Sequence, residues 1–129
     1  MRLVNCDSDY WEFIRELRTN EKNSIWFYTQ PEITTEEQKN YMNKNAHKYK
    51  ICLLEDVPVG YIGIINENEI TYCVKPNYKN MGIGTFMVQE FMKLYENLVA
   101  YVLPENQSSC KVFEKLGFEK NIYYKYDKK

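Results

Sequence analysis

The alternation of apolar and polar positions divides this chain into stretches of different period. Arg2 to Cys6 is short and mostly apolar, as a first strand would be, and Asp7 or Ser8 is placed to cap a helix. Tyr10, Phe13, Ile14 and Leu17 then recur at helical spacing and predict one core-facing side. Asn20 to Asn23 breaks that period, and Ile25-Trp26-Phe27-Tyr28 makes a compact aromatic cluster ahead of Pro31, which fits core packing and, lying between two helices, also the wall of a substrate pocket. Thr34-Thr35-Glu36-Glu37 has the spacing of a capping box, so a second helix is expected from there to about Asn45.

From Tyr49 the period changes. Tyr49–Glu55 and Val59–Asn66 are apolar runs of strand length separated by Asp56-Val57-Pro58, which predicts an antiparallel hairpin. Gly60 and Gly63 inside the second run point to a close backbone approach or a bulge. Glu67-Asn68 makes the next turn, and Ile70-Thr71-Tyr72-Cys73-Val74, β-branched and aromatic, reads as a third strand that Pro76 stops by removing a ladder donor. A loop containing Gly82 and Gly84 then leads into a helix marked by Ile83, Met87, Phe91 and Leu94, with Phe86 beside them. Leu98 to Leu103 has no charge and predicts a strand buried on both faces. After the loop Pro104-Glu105-Asn106, Ser108 or Ser109 begins a helix carrying Val112, Phe113 and Leu116, which Gly117 closes as a left-handed cap. Phe118 and Ile122 to Tyr126 supply the last strand or strands before the solvated Asp127-Lys128-Lys129. Neither repeats nor linkers interrupt this order, so residues 1–129 read as a single α+β domain.

Composition narrows the function classes. A chain of 129 residues is long enough for one hydrophobic core. Its net charge of −1 lacks the basic stripe that nucleic-acid binding calls for. Cys6, Cys52, Cys73 and Cys110 are scattered and accompanied only by His47, so neither a zinc site nor a disulfide framework is expected. No apolar run approaches a membrane span, and Met1 to Asp7 shows no signal-peptide core, so a reducing cytoplasm is the expected location.

The stretch with the most chemistry in it is Val74-Lys75-Pro76-Asn77-Tyr78-Lys79-Asn80-Met81-Gly82-Ile83-Gly84, followed by Thr85. Glycines at a helix start let backbone amides converge, and the positive end of the helix dipole adds to them, so the natural guest is a phosphate or pyrophosphate. A Walker loop would need Gly-Lys-Ser/Thr, and a dinucleotide fingerprint would need a third glycine where Met87 stands, so neither fits. The segment instead resembles the coenzyme A pyrophosphate loop of the Gcn5-related N-acetyltransferases, Gln/Arg-x-x-Gly-x-Gly/Ala after a strand ending in Val-x-Pro. Lys79 takes the Gln/Arg place, and Gly82 and Gly84 the two small positions. Asn106-x-x-Ser109-x-x-x-Phe113-Glu114-Lys115-Leu116-Gly117-Phe118 is similar to the same family's C-terminal motif.

That resemblance implies a GNAT-like α+β fold: a central mixed, mostly antiparallel sheet of six to seven strands flanked by about four helices, split between strands 4 and 5. It implies acetyl-CoA as donor, transferred to a primary amine by direct attack in a ternary complex, and no metal. Tyr72, Cys73 and Val74 would meet the pantetheine arm through their backbone. Lys79, Asn80, Met81, Gly82, Ile83, Gly84 and Thr85 would hold the pyrophosphate, with Asn106, Ser109 and Phe113 near the sulfur. Glu69, where many members carry a glutamate, is the expected base. Many members also carry a tyrosine at the place of Phe113, which has no proton to give. The acid is therefore left open among Ser109, Cys110, Tyr101 and solvent. Cys110 as an acyl-carrying nucleophile is disfavoured, because direct transfer needs none.

Substrate choice in the family is set by the segment between the first strands, here residues 18 to 45, and Trp26, Phe27 and Tyr28 are the expected pocket wall. Their rings suit an amino sugar or another small polar amine. The alternatives are a protein N-terminal or side-chain amine, or a non-catalytic acyl-CoA-binding module. A homodimer is compatible with the resemblance.

Overall fold

A computed structural model of the chain describes residues 1–20, 33–122, 124 and 126–128. Its sheet contains four antiparallel strands in sequence order: β1 (Arg2–Asn5), β2 (Tyr49–Leu54), β3 (Val57–Ile65) and β4 (Glu69–Val74). Four α-helices are described with them: α1 (Trp11–Thr19), α2 (Thr35–Asn45), α3 (Ile83–Met92) and α4 (Gln107–Lys115).

The sheet separates two cores. On one face Ile14 and Leu17 of α1 and Met42 of α2 pack with Tyr49, Ile51, Tyr61 and Cys73. On the other, Ile83, Met87, Val88 and Phe91 of α3 and Phe113 of α4 pack with Cys52, Ile62, Ile64 and Ile70. The period of two along β4 follows from this: Ile70, Tyr72 and Val74 lie on the α3/α4 side, and Cys73 faces α1 and α2. Buried Gln38 of α2 donates to the carbonyl of Trp11 at 3.0 Å, and Arg15 donates to the carbonyl of Ile33 at 3.1 Å, which ties the two helices together.

Local chemistry explains the element ends. Thr34 accepts from the amide of Glu37 at 3.1 Å while Glu37 accepts from the amide of Thr34, the expected capping box. The β2–β3 hairpin turns on Glu55 and Asp56, both with positive φ, rather than on Asp56-Val57-Pro58. Pro58 is accommodated within β3 because the register shifts beside its partner Leu53. Gly63 lies opposite Tyr49, where a Cβ would fall 2.3 Å from the ring, and at Gly60 a Cβ would fall 2.8 Å from the carbonyl oxygen of Cys73. Both glycines mark the close approach expected of them.

Two expectations about the strands are corrected. Among the described residues the sheet has four strands rather than six to seven. Leu98–Leu103 is not a strand buried on both faces. It meets β4 through one parallel bridge, Glu69 to Val99, and only Leu98, Ala100 and Val102 pack on the core, while Val99 and Tyr101 are exposed. Its lack of charge reflects one apolar face and an exposed face of Val and Tyr. Of the expected last strand Ile122 to Tyr126, residues 123 and 125 lie outside the described residues, while Ile122, Tyr124 and Tyr126 are exposed. Further, α3 stops at Met92 and leaves Leu94 exposed, and Asp7 makes no side-chain cap to the single 3-10 turn Ser8–Tyr10 that precedes α1. No helix among the described residues is long and apolar enough to cross a membrane.

Candidate active site

β4 sets the geometry of the site. The amide of Lys75 donates to Val59 of β3 at 2.7 Å, whereas the amide of Ile70 points the other way and donates to Val99 at 2.8 Å. Backbone groups alternate in direction along a strand, so those of Tyr72 and Val74 share the outward direction of Ile70. Past the single bridge at Val99 no strand is assigned beyond them among the described residues. The result is a strand edge, next to the extended Ala100–Leu103, that can take an extended ligand by backbone pairing.

The chain leaves β4 through a short 3-10 turn, Pro76–Tyr78, and the amino group of Lys75 lies 5.9 Å from the centre of the Tyr78 ring. Asn80 and Gly82 both take positive φ, +64° and +80°, and Gly82 is the N-cap of α3. The first backbone bond of that helix runs from Phe86 to Gly82, so the amides of Ile83, Gly84 and Thr85 have no acceptor within it. No side chain caps them, and the first turn has no acidic residue. A Cβ built on Gly82 meets nothing within 4 Å. Unpaired amides, the dipole and the open space above Gly82 fit a phosphate group. Lys79, exposed beside them, would add a cation.

Gly84 brings the turn down onto β4, since a Cβ there would lie 3.1 Å from the ring of Tyr72. The Tyr72 hydroxyl reaches α4 and lies 2.8 Å from Ser109 Oγ, and its ring meets Phe113 edge-on with centroids 6.0 Å apart. Burial pushes the Tyr72 phenol above its ordinary pKa, against a smaller lowering by the Ser109 hydrogen bond. Asn106, not Ser108 or Ser109, is the N-cap of α4: its side chain accepts from the Ser109 amide at 3.3 Å, which fixes the turn carrying Ser109. The other end of α4 closes with Gly117 at φ +85° and a bond from the Phe118 amide to Phe113 at 3.0 Å.

Tyr72, Gly84, Ser109 and Phe113, which the sequence names separately, therefore meet at one junction. Glu69 starts β4, accepts a hydrogen bond from Asn66 Nδ2 at 2.9 Å, and alternates in step with Cys73 toward the α1 side. The Cys73 thiol, buried, is pushed up to about 12. Tyr101 is exposed and Cys110 half-buried, and neither has a hydrogen bond to the Tyr72–Ser109 pair. On the α1 side, a cleft of about 310 Å³ lies between Phe13, Glu16, Leu17 and Asn20 of the α1 end and Lys75, Pro76 and Asn77. Trp26, Phe27 and Tyr28, the expected pocket wall, lie outside the described residues. The Tyr72 side chain is the residue that reading by spacing missed, because its partner stands 37 positions away.

Comparison with known proteins adds the following. A family model described as Acetyltransferase (GNAT) family matches residues 11–118. An uncharacterised N-acetyltransferase of Bacillus subtilis (strain 168), YnaD, is 26% identical over 131 residues, covering 89% of this chain and 76% of that protein. A GNAT-family acetyltransferase from Bacillus anthracis has the same fold at a TM-score of 0.76 with 24% identity, over 95% of this chain and 81% of that one. The spermidine N-acetyltransferase of Vibrio cholerae, solved with CoA and spermine, superposes at a TM-score of 0.80 with 18% identity, over 93% of this chain and 81% of the other.

Proposed function

The chain belongs to the acetyltransferase (GNAT) family, and on that footing we propose that it moves an acetyl group from acetyl-CoA to the primary amine of a small polar molecule, such as an amino sugar, by direct attack in a ternary complex. The observation that carries this reading is the continuity of the outward edge of β4 with the uncapped amides of Ile83, Gly84 and Thr85. In this reading the backbone of Tyr72 and Val74, with Cys73 between them, pairs with the pantetheine arm. Lys79 to Thr85 hold the pyrophosphate, and Asn106, Ser109 and Phe113 border the thioester end.

The acceptor amine approaches from the α1 side. Glu69 alternates toward that side and takes the amine's proton, directly or through a water. Trp26, Phe27 and Tyr28 wall the acceptor pocket in this reading. The amine nitrogen attacks the thioester carbonyl, the carbon–sulfur bond breaks with its electron pair on sulfur, and CoA leaves as thiolate.

Calorimetric titration with acetyl-CoA tests the donor site. Gly82→Ala introduces only the backbone strain of a left-handed residue, on the order of 1 kcal/mol, and should still bind. Gly82→Glu places a carboxylate over the amides and should abolish binding. Equal affinity in both variants would remove the pyrophosphate from this turn. A second reading, an acyl-CoA-binding module without turnover, is favoured by the lack of a donor on buried Phe113. Release of free CoA thiol with an amine panel including glucosamine and spermidine separates the two.

A further inference from the structure

We infer that Tyr72 and Ser109 work as one hydroxyl relay that stabilises the departing thiolate, with Ser109 donating to the sulfur and Tyr72 positioning Ser109. The inference rests on the proposed transfer from acetyl-CoA and adds residue roles that the transfer itself leaves open. Cleaving the thioester places a full negative charge on sulfur, and a donor already aimed at that place lowers the barrier without having to reorganise. Phe113 offers none, the exposed Tyr101 is not part of the junction, and the Cys73 thiol lies on the opposite face of β4.

The Tyr72 hydroxyl is held on several sides. Its ring is confined by Gly84 above and by Phe113 at its edge, so the oxygen has a defined place 2.8 Å from Ser109 Oγ. A phenol is a stronger donor than an alcohol. With the Tyr72 hydrogen given to Ser109 Oγ, the serine hydrogen is left for a third atom. The asparagine cap at Asn106 holds the Ser109 turn from the other side. Burial keeps the phenol protonated near neutral pH, so the relay remains a donor throughout.

The step balances without any further reagent. The carbon–nitrogen bond forms as the carbon–sulfur bond breaks, and the sulfur keeps the electron pair under a hydrogen bond from Ser109. The amine's proton passes to the base and then to solvent, and the thiolate later takes a proton from solvent. Neither hydroxyl is consumed. Ser109 is thus a catalytic residue by contact with the leaving atom, and Tyr72 a positioning residue that acts through it.

The test uses the full chain as wild type, Tyr72→Phe, Ser109→Ala and the double variant. Calorimetry gives Kd for acetyl-CoA, and CoA thiol release with glucosamine, spermidine or water as acceptor gives kcat. Each single variant should lower kcat about tenfold, the worth of one good hydrogen bond in the transition state, with Kd changed less than about twofold. The double variant should be no slower than Ser109→Ala alone, because Tyr72 acts through that residue. A merely structural contact would not give this pattern. Wild-type kcat in Tyr72→Phe, losses that multiply in the double variant, or losses confined to Kd would each overturn the relay. Turnover by the wild type with unaffected variants overturns the relay alone. A wild type that neither binds acetyl-CoA nor releases CoA overturns the acetyl-transfer reading, and the relay with it.

Discussion

Gly63 and Gly82 are both glycines for a reason, but the reasons differ. Gly63 has no room: a Cβ would sit 2.3 Å from the Tyr49 ring, which is fully buried and anchored by a 2.8 Å hydrogen bond to Tyr41. Gly63→Ala should therefore lower stability by about 2–3 kcal/mol, within the range for overpacked cores. A drop in Tm of roughly 10 °C is the expected reading. Gly82 has ample space and needs its backbone angle instead. Cysteines divide in a similar way. Cys110 is half-buried while Cys6, Cys52 and Cys73 are buried, so iodoacetamide near neutral pH should alkylate Cys110 first, as peptide mass mapping would report. Gly63 is legible in the sequence because a strand-interior glycine is already anomalous within its own run, and Gly82 because it stands with Gly84 where a loop gives way to a helical pattern. The Tyr72–Ser109 pair was not legible, since both residues look ordinary locally and only the fold brings positions 37 apart together.

Among elements, local signals place most of the helices and strands but not every cap: Asp7 makes no side-chain cap, and Asn106 rather than Ser108 or Ser109 caps α4. The Thr34 capping box and the Gly117 cap are short-range devices, and both are present as expected. Thr34→Ala should cost about 1 kcal/mol, seen as a lower denaturant midpoint with unchanged slope. The same variant should leave acetyl-CoA affinity intact, because α2 lies on the sheet face opposite α3 and α4. Leu98–Leu103 shows the opposite case. An uncharged run fits a doubly buried strand, but burial on the second face requires a neighbour that no local pattern can supply, and Tyr101 remains 62% exposed. The hairpin turn was misplaced by two residues because Pro58 reads as a stop, whereas the register shift beside Leu53 accommodates it.

At the scale of the molecule, two cores enclose the sheet, and they hold thiols that are neutral when folded. Burial raises Cys6 and Cys52 to about 11 and Cys73 to about 12, from an ordinary value near 9. Between those values the folded chain holds protons that the unfolded chain releases, so stability is complete below about pH 9 and falls as pH rises toward 11–12. Buried Tyr49 and Tyr61, also raised by burial, act in the same direction. Denaturant midpoints at pH 8 and pH 10.5 should show the decline, and equal midpoints would contradict it. The strict alternation of β4 has a wider consequence. Under the proposed function its even positions would belong to the donor's side and its odd positions to the acceptor's, so a single strand would act as a party wall between two tenants. Changes among odd positions and the cleft beside α1 can alter which amine is served while the wall's other side stays as it was. Acceptor range can then diversify under selection, or be redesigned, without renegotiating the hold on a common donor.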